Sequence, residues 1–192
     1  MKQKQLHTSA VAYRRQKQIE DCLYHNLLHT PYQSISVSDL CRQVGISRKA
    51  FYNYYHDKEG CFCAIIDRMI RESMIHTSKN TPDSANALEA AIIILDYWKS
   101  KKEFFDIVLR NNLAHFLLLR NMEYVLREDR NVLDLLSTPD VKTDTDILAC
   151  YMTSQFTLAL QWYFRGFEDP TEEIAKKLLR ILHVPMIQLT DE

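Results

Sequence analysis

Val37–Phe62 reads VSDLCRQVGISRKAFYNYYHDKEGCF, and this stretch decides how the rest of the chain is read. Ser36 is a side-chain cap in front of Val37-Ser38-Asp39, and Leu40 and Val44 lie one helical turn apart. Gly45 then ends the segment, because glycine takes a left-handed backbone without a Cβ penalty. Ile46 is the apolar plug of the turn, and Ser47 caps a second short helix. On that helix Phe51 and Tyr55 share one face, which leaves Ser47, Arg48, Lys49, Tyr52 and Asn53 on the other. Two short helices around a glycine turn, with a basic and hydroxyl-rich outer face, form the geometry that presents a helix to the DNA major groove.

Upstream, a helix is expected from Ser9 or Ala10 to Leu28, ended by His29-Thr30-Pro31-Tyr32, since proline disfavours helical geometry in the residue before it. Downstream, Asp57 caps a fourth helix whose Phe62, Ile65, Ile66, Met69, Ile70 and Ser73 form a sustained stripe. The chain restarts at Thr81-Pro82-Asp83. Helices are then expected at 84–100, 102–111, 115–128, 143–167 and 171–183, with a loop or short helical piece at 131–140. The fold class is therefore all-α: a three-helix helix-turn-helix head over residues 1–58 and a larger helical body over 59–192, about nine helices in total. With 3 Gly and 5 Pro in 192 residues, a turn-rich β protein is disfavoured.

The net charge of −1 conceals a division. Residues 1–58 carry nine Lys/Arg against four Asp/Glu, a net of +5, whereas the remainder carries fifteen against twenty-one, a net of −6. A basic head on an acidic body confines polyanion contact to the head. No apolar run is long enough to span a membrane, and MKQKQLHTSA lacks the apolar centre of a signal peptide. The five cysteines have no framework spacing, and Cys61 and Cys63 point their thiols to different sides of a helix. A reduced, cytoplasmic setting is expected, with no metal and no cofactor. No paired acids, nucleophile–base set or phosphate loop suggests an enzyme.

Recognition needs groups that clamp phosphates and groups that reach base edges. Arg48 and Lys49 suit guanine or phosphate, Asn53 suits an adenine edge, and the Ala50 methyl suits a thymine methyl. Tyr52 and Tyr54 place hydroxyls at the flank, Ser38 lies in the first turn of a helix where free N–H groups favour an anion, and Lys58 is a further phosphate clamp. The candidate DNA-binding residues are thus Ser38, Ser47, Arg48, Lys49, Tyr52, Asn53, Tyr54 and Lys58.

Leu40-Cys41, Gly45-Ile46-Ser47, Phe51-Tyr52-Asn53-Tyr54-Tyr55 and Lys58-Glu59 together resemble the N-terminal signature of the TetR/AcrR family of bacterial transcriptional regulators. The match covers roughly residues 12–70, and beyond it the likeness is one of size and helical layout. The resemblance implies that Tyr52 and Lys58 contact phosphates and that Arg48, Lys49 and Asn53 read bases. Ala50 departs from a frequent small hydroxyl residue, Tyr55 from a more usual Phe, and Gly60 and Cys61 from stronger helix formers.

The resemblance also implies a body that dimerises and responds to a small molecule. The stretch from Ile147 to Phe167 is apolar nearly all round, as expected of a helix covered both by its own domain and by a second copy. A homodimer through the last two helices, about 143–184, follows, with a pseudo-palindromic double-stranded operator as partner. Tyr97, Trp98, His115, Phe116, Tyr124, Tyr151, Gln155 and Trp162 are the candidates to line a cavity for an apolar or amphipathic effector. The expected protein is a repressor released from its operator by that effector. The alternative is a DNA-binding factor of the same fold without a small-molecule effector, controlled by a partner protein or acting as an activator.

Overall fold

A computed structural model describes residues 10–82, 84–127 and 145–183, with backbone alone for 10, 124–127, 145–152 and 181–183. The expected loop at 131–140 lies outside the described residues. Among these the chain forms nine α-helices: α1 (Ala10–His29), α2 (Val37–Val44), α3 (Arg48–Tyr52), α4 (Lys58–Asn80), α5 (Ala87–Lys99), α6 (Lys102–Arg110), α7 (Ala114–Arg127), α8 (Thr145–Phe164) and α9 (Thr171–His183). A single 3-10 turn spans Tyr32–Ser34, and no strand occurs among the described residues. No helix there is long and apolar enough to cross a membrane.

The chain divides into two compact units between Ile66 and Asp67, inside α4. In the first, α2 packs on both α1 and α3. Its core is Ile19, Leu23, Leu27, Ile35, Leu40, Phe51, Cys61, Phe62, Ile65 and Ile66, all buried. The helix ends follow local rules. Ser36 accepts the Asp39 N–H and Ser47 that of Ala50, each satisfying a donor the first turn leaves unpaired. Gly45 sits at φ 70°, which lets Ile46 N–H reach back to the Cys41 carbonyl and closes α2. Asp57 Oδ1 accepts the Gly60 N–H at 2.7 Å, and that bond holds the carboxyl below the usual carboxylate range.

Gly60 is therefore ordinary helical backbone, and a Cβ there would sit 3.5 Å from Asp57 Oδ1, a normal contact. Since glycine costs up to about 1 kcal/mol against alanine within a helix, Gly60→Ala is expected to raise the melting temperature of the head. A thermal melt showing a decrease would mean that the glycine serves a need other than helix formation.

In the second unit, α7 packs along α8, and α9 packs on α5 and α8. The aromatic core is continuous: Trp98 meets Phe156 at 4.4 Å and Phe105 at 6.2 Å, and Phe167 meets Phe105 at 6.3 Å and Trp162 at 4.9 Å. Arg120 of α7 forks onto both oxygens of Asp67 on α4 and also reaches Glu123. Tyr97 donates its hydroxyl to the Met69 carbonyl at 3.3 Å, and burial pushes its phenol pKa upward.

Two helix boundaries differ from expectation by three residues, the others among the described residues by fewer. α5 begins at Ala87 because Asn86 and Glu89 form a reciprocal capping box. α8 stops at Phe164 because Gly166 (φ 69°) turns left-handed and Phe167 N–H closes onto the Trp162 carbonyl at 3.0 Å. Within α8, Phe156, Leu158, Ala159, Leu160 and Trp162 are buried by the single chain, while Phe164 is 69% exposed. Much of the apolar surface that suggested a helix covered by two copies is thus covered within one.

Candidate nucleic-acid interface

The outward face of α3 consists of two adjacent i, i+4 pairs, Arg48 with Tyr52 and Lys49 with Asn53, all exposed. Arg48 Nη2 donates to the Tyr52 hydroxyl at 3.4 Å, and its guanidinium lies 5.9 Å from the ring centroid. This contact orders a long cationic side chain and lowers the entropy lost when it binds. Tyr52 in turn stands edge-on to the buried Phe51, at 5.6 Å between centroids. This face of α3 is thereby braced directly by the core beneath it. Ser47 is exposed at the N-cap, with its hydroxyl committed to Ala50 N–H at 3.1 Å.

The other expected contacts are arranged differently. Tyr54 is half-buried against Tyr55, at 6.5 Å. Ser38 is exposed in the first turn of α2, but Asp39 beside it is held below the usual carboxylate range, chiefly by the Ser36 hydroxyl. Asp39 also pairs with Arg42 at 2.5 Å. That helix terminus therefore already carries a carboxylate, which opposes a phosphate at the same place. Lys58 is turned to the scaffold: its ammonium donates to the carbonyls of Tyr32 and Ile35 at 2.5 and 2.6 Å and lies 4.1 Å from the Tyr32 ring centroid. Burial lowers its pKa. A lysine next to a helix start looks like a phosphate clamp in sequence; only the fold reveals these two carbonyls as its partners.

Sequence reasoning omitted Arg14 and Lys17, exposed on α1, although the charge count included them. It also omitted the clasp of Asn26 with Gln43, paired amide to amide at 2.8 and 3.2 Å, with Cys22 Sγ 3.2 Å from the same Gln43 oxygen.

The Tyr55 departure has a structural explanation. Its hydroxyl donates to Glu20 Oε1 at 2.8 Å in a buried position, tying α1 to the end of α3. Hydrogen bonds to charged groups contribute about 1.5–3 kcal/mol. Tyr55→Phe is expected to destabilise the head by that order in urea unfolding, with Glu20→Gln in the same background recovering part of the loss. A Tyr55→Phe midpoint equal to wild type would remove this explanation.

Of the residues expected to line a body cavity, Tyr97, Trp98, Gln155 and Trp162 are buried. Phe116 is half-buried, and His115 is exposed on α7 with its ring 4.0 Å from that of Phe116. The side chains of Tyr124 and Tyr151 lie outside the described residues. No cluster of His, Cys, Asp or Glu suited to a metal occurs among the described residues.

No protein-family model matches the chain, and no curated protein matches it in sequence. Solved structures do. A TetR-family transcriptional regulator from Haemophilus influenzae superposes with a TM-score of 0.59 at 15% identity, over 89% of this chain and 97% of that one. A putative TetR-family regulator from Syntrophomonas wolfei gives 0.57 at 15% identity, over 92% and 98%. The fatty acid degradation regulator FadR from Bacillus halodurans gives 0.54 at 14% identity, over 90% and 96%. From the capped head to the last helix, this chain has the fold of the TetR-family transcriptional regulators.

Proposed function

We propose that the protein is a sequence-specific DNA-binding transcriptional regulator, acting in the cytoplasm as a homodimeric repressor that a small molecule releases from a pseudo-palindromic operator. The observation that carries this reading is the exposed, core-braced face of α3, with Arg48 held by Tyr52 beside Lys49 and Asn53. The regulators whose fold it shares support it. Arg48, Lys49 and Asn53 read bases, and Tyr52 contacts phosphate; Ser47 sets the start of the helix. Ser38, Tyr54 and Lys58 shape the margins. The head contacts DNA while the body, about residues 59–192, dimerises through its last two helices. Two heads bound one helical turn of DNA apart, or multiples of it, give the affinity one short helix lacks. The exposed Phe164 on α8 is consistent with a partner surface there.

Titrating labelled DNA from upstream of the protein's own gene against wild type, followed by fluorescence anisotropy, tests this. Saturable binding with competition by the same sequence, and not by scrambled DNA, is the expected result. Binding without sequence preference sinks it.

The tight ring contacts among Trp98, Phe156, Phe105, Phe167 and Trp162 favour a second reading for the body. In it the same DNA-binding fold is controlled by a partner protein or acts as an activator, with these rings as plain core.

A further inference from the structure

The connection between α1 and α2 is tied to the first turns of α4 at two points. The Lys58 ammonium donates to the Tyr32 and Ile35 carbonyls at 2.5 and 2.6 Å and lies 4.1 Å from the Tyr32 ring centroid. One turn along α4, the buried Phe62 meets that same ring at 6.0 Å. An ammonium has three N–H donors and no acceptor. Two carbonyls and an aromatic ring form a cradle of matching chemistry. A guanidinium, flat and forked, has a different shape.

The cradle lies where the helix-turn-helix begins. Tyr32–Ser34 is the 3-10 turn, Ile35 is buried, and Ser36 caps the start of α2. α2 in turn packs on α3. Bonds that fix Ile35 therefore fix the start of α2 and, through it, the placement of the α3 face. Turning Lys58 to a DNA phosphate means breaking both carbonyl bonds. It also brings the phosphate to a residue flanked in the chain by two exposed acids, Asp57 and Glu59. Their charge is felt at the cradle: after burial, Glu59 and then Asp57 push the Tyr32 phenol pKa upward. An anion is disfavoured there, and an internal cation is favoured.

We propose that Lys58 is a positioning residue for the reading helix: its ammonium, seated on the Tyr32 and Ile35 carbonyls, holds the start of α2 and contacts no phosphate. This rests on the DNA-binding reading and replaces, within it, the phosphate role that the family resemblance implies for Lys58.

Full-length wild type, Lys58→Arg and Lys58→Met are titrated by fluorescence anisotropy with operator and with scrambled DNA at several salt concentrations. Arginine keeps a phosphate clamp and does not fit the cradle. Both variants are expected to lose at least about tenfold of the preference for operator over scrambled DNA, the scale of one base contact. Binding to scrambled DNA, which phosphates carry, should keep the wild-type affinity and salt dependence. Loss of one phosphate clamp from each of two heads would instead lower the salt slope by about 1.8. A Lys58→Arg preference equal to wild type, or a Lys58→Met slope reduced by that amount, overturns the proposal. An equal loss on both DNAs overturns it too, because it marks a loss of folded protein rather than of placement.

Wild type alone supplies a second measurement that needs no variant to fold. Acetic anhydride labels lysines at trace levels, and mass spectrometry reads each rate in free and operator-bound protein. DNA is expected to protect Lys49, on the α3 face, and to leave the Lys58 rate as in the free protein. Protection of Lys58 as strong as that of Lys49 overturns the proposal. Wild type without preference for the operator defeats the DNA-binding reading instead, so the two failures are distinct.

Discussion

Arg48→Ala combined with Tyr52→Ala is expected to lower operator affinity by at least about 100-fold while leaving the melting temperature within about 2 °C of wild type. The affinity term comes from two losses. A well-placed arginine on a base edge discriminates by about 1–3 kcal/mol. Tyr52, in the role proposed for it, contacts phosphate, and it holds the Arg48 guanidinium through the 3.4 Å hydrogen bond and the ring beneath it. In a dimer each loss is counted twice. The stability term is small because both side chains are exposed, and such positions usually change stability by less than about 0.5 kcal/mol. Anisotropy titrations at several salt concentrations separate the roles. Arg48→Lys should retain most of the salt dependence and lose sequence discrimination, since lysine keeps the charge and not the fork. Affinity of the double variant within threefold of wild type would show that α3 is not the reading helix.

The second large effect comes from beneath that face. Phe51→Ala is expected to destabilise the head by about 3–5 kcal/mol, the usual cost of emptying an aromatic core position. Phe51 is fully buried and meets both Tyr52 and Tyr55 at 5.6 Å. It thus supports Tyr52, which holds Arg48, and the tyrosine that ties α3 to α1. A loss of this size is comparable with the whole stability of a small unit. Operator binding should disappear in conditions where wild type binds. The chain carries 2 Trp, Trp98 and Trp162, both in the body, whereas the head has tyrosines and no tryptophan. Urea unfolding of Phe51→Ala is therefore expected to lose helical signal early while the tryptophan midpoint stays in place. Phe51→Leu, nearer in volume, should cost under about 1.5 kcal/mol and bind. Binding by Phe51→Ala equal to wild type would refute the dependence of the reading face on its core.

Much of the head was legible because its determinants act within four residues. Ser36, Gly45, Ser47 and Asp57 each satisfy or release backbone groups of the adjoining turn. The stripe from Phe62 to Ser73 on α4 is read at helical spacing and is buried as expected. The two misplaced boundaries were also local: Asn86 with Glu89 and Gly166 were available signals that longer apolar runs outweighed. In the body, periodicity located α5 to α9 but not the partners of their polar side chains.

What this sequence determined by itself is therefore the all-α architecture, the helix ends of the head and the composition of the α3 outer face. These depend on short-range hydrogen bonding and on one repeat, the 3.6-residue turn. What only the tertiary structure decided lies farther apart along the chain. Lys58 spends its ammonium on carbonyls 23 and 26 residues away, and Tyr55 reaches Glu20 across 35 residues. Arg120 grips Asp67 across 53, and no protein group among the described residues meets the buried amide of Asn121, its neighbour. No periodicity encodes such pairings or such an omission. They arise when packed helices fix which polar groups can meet, because burial makes each met or unmet hydrogen bond count in full.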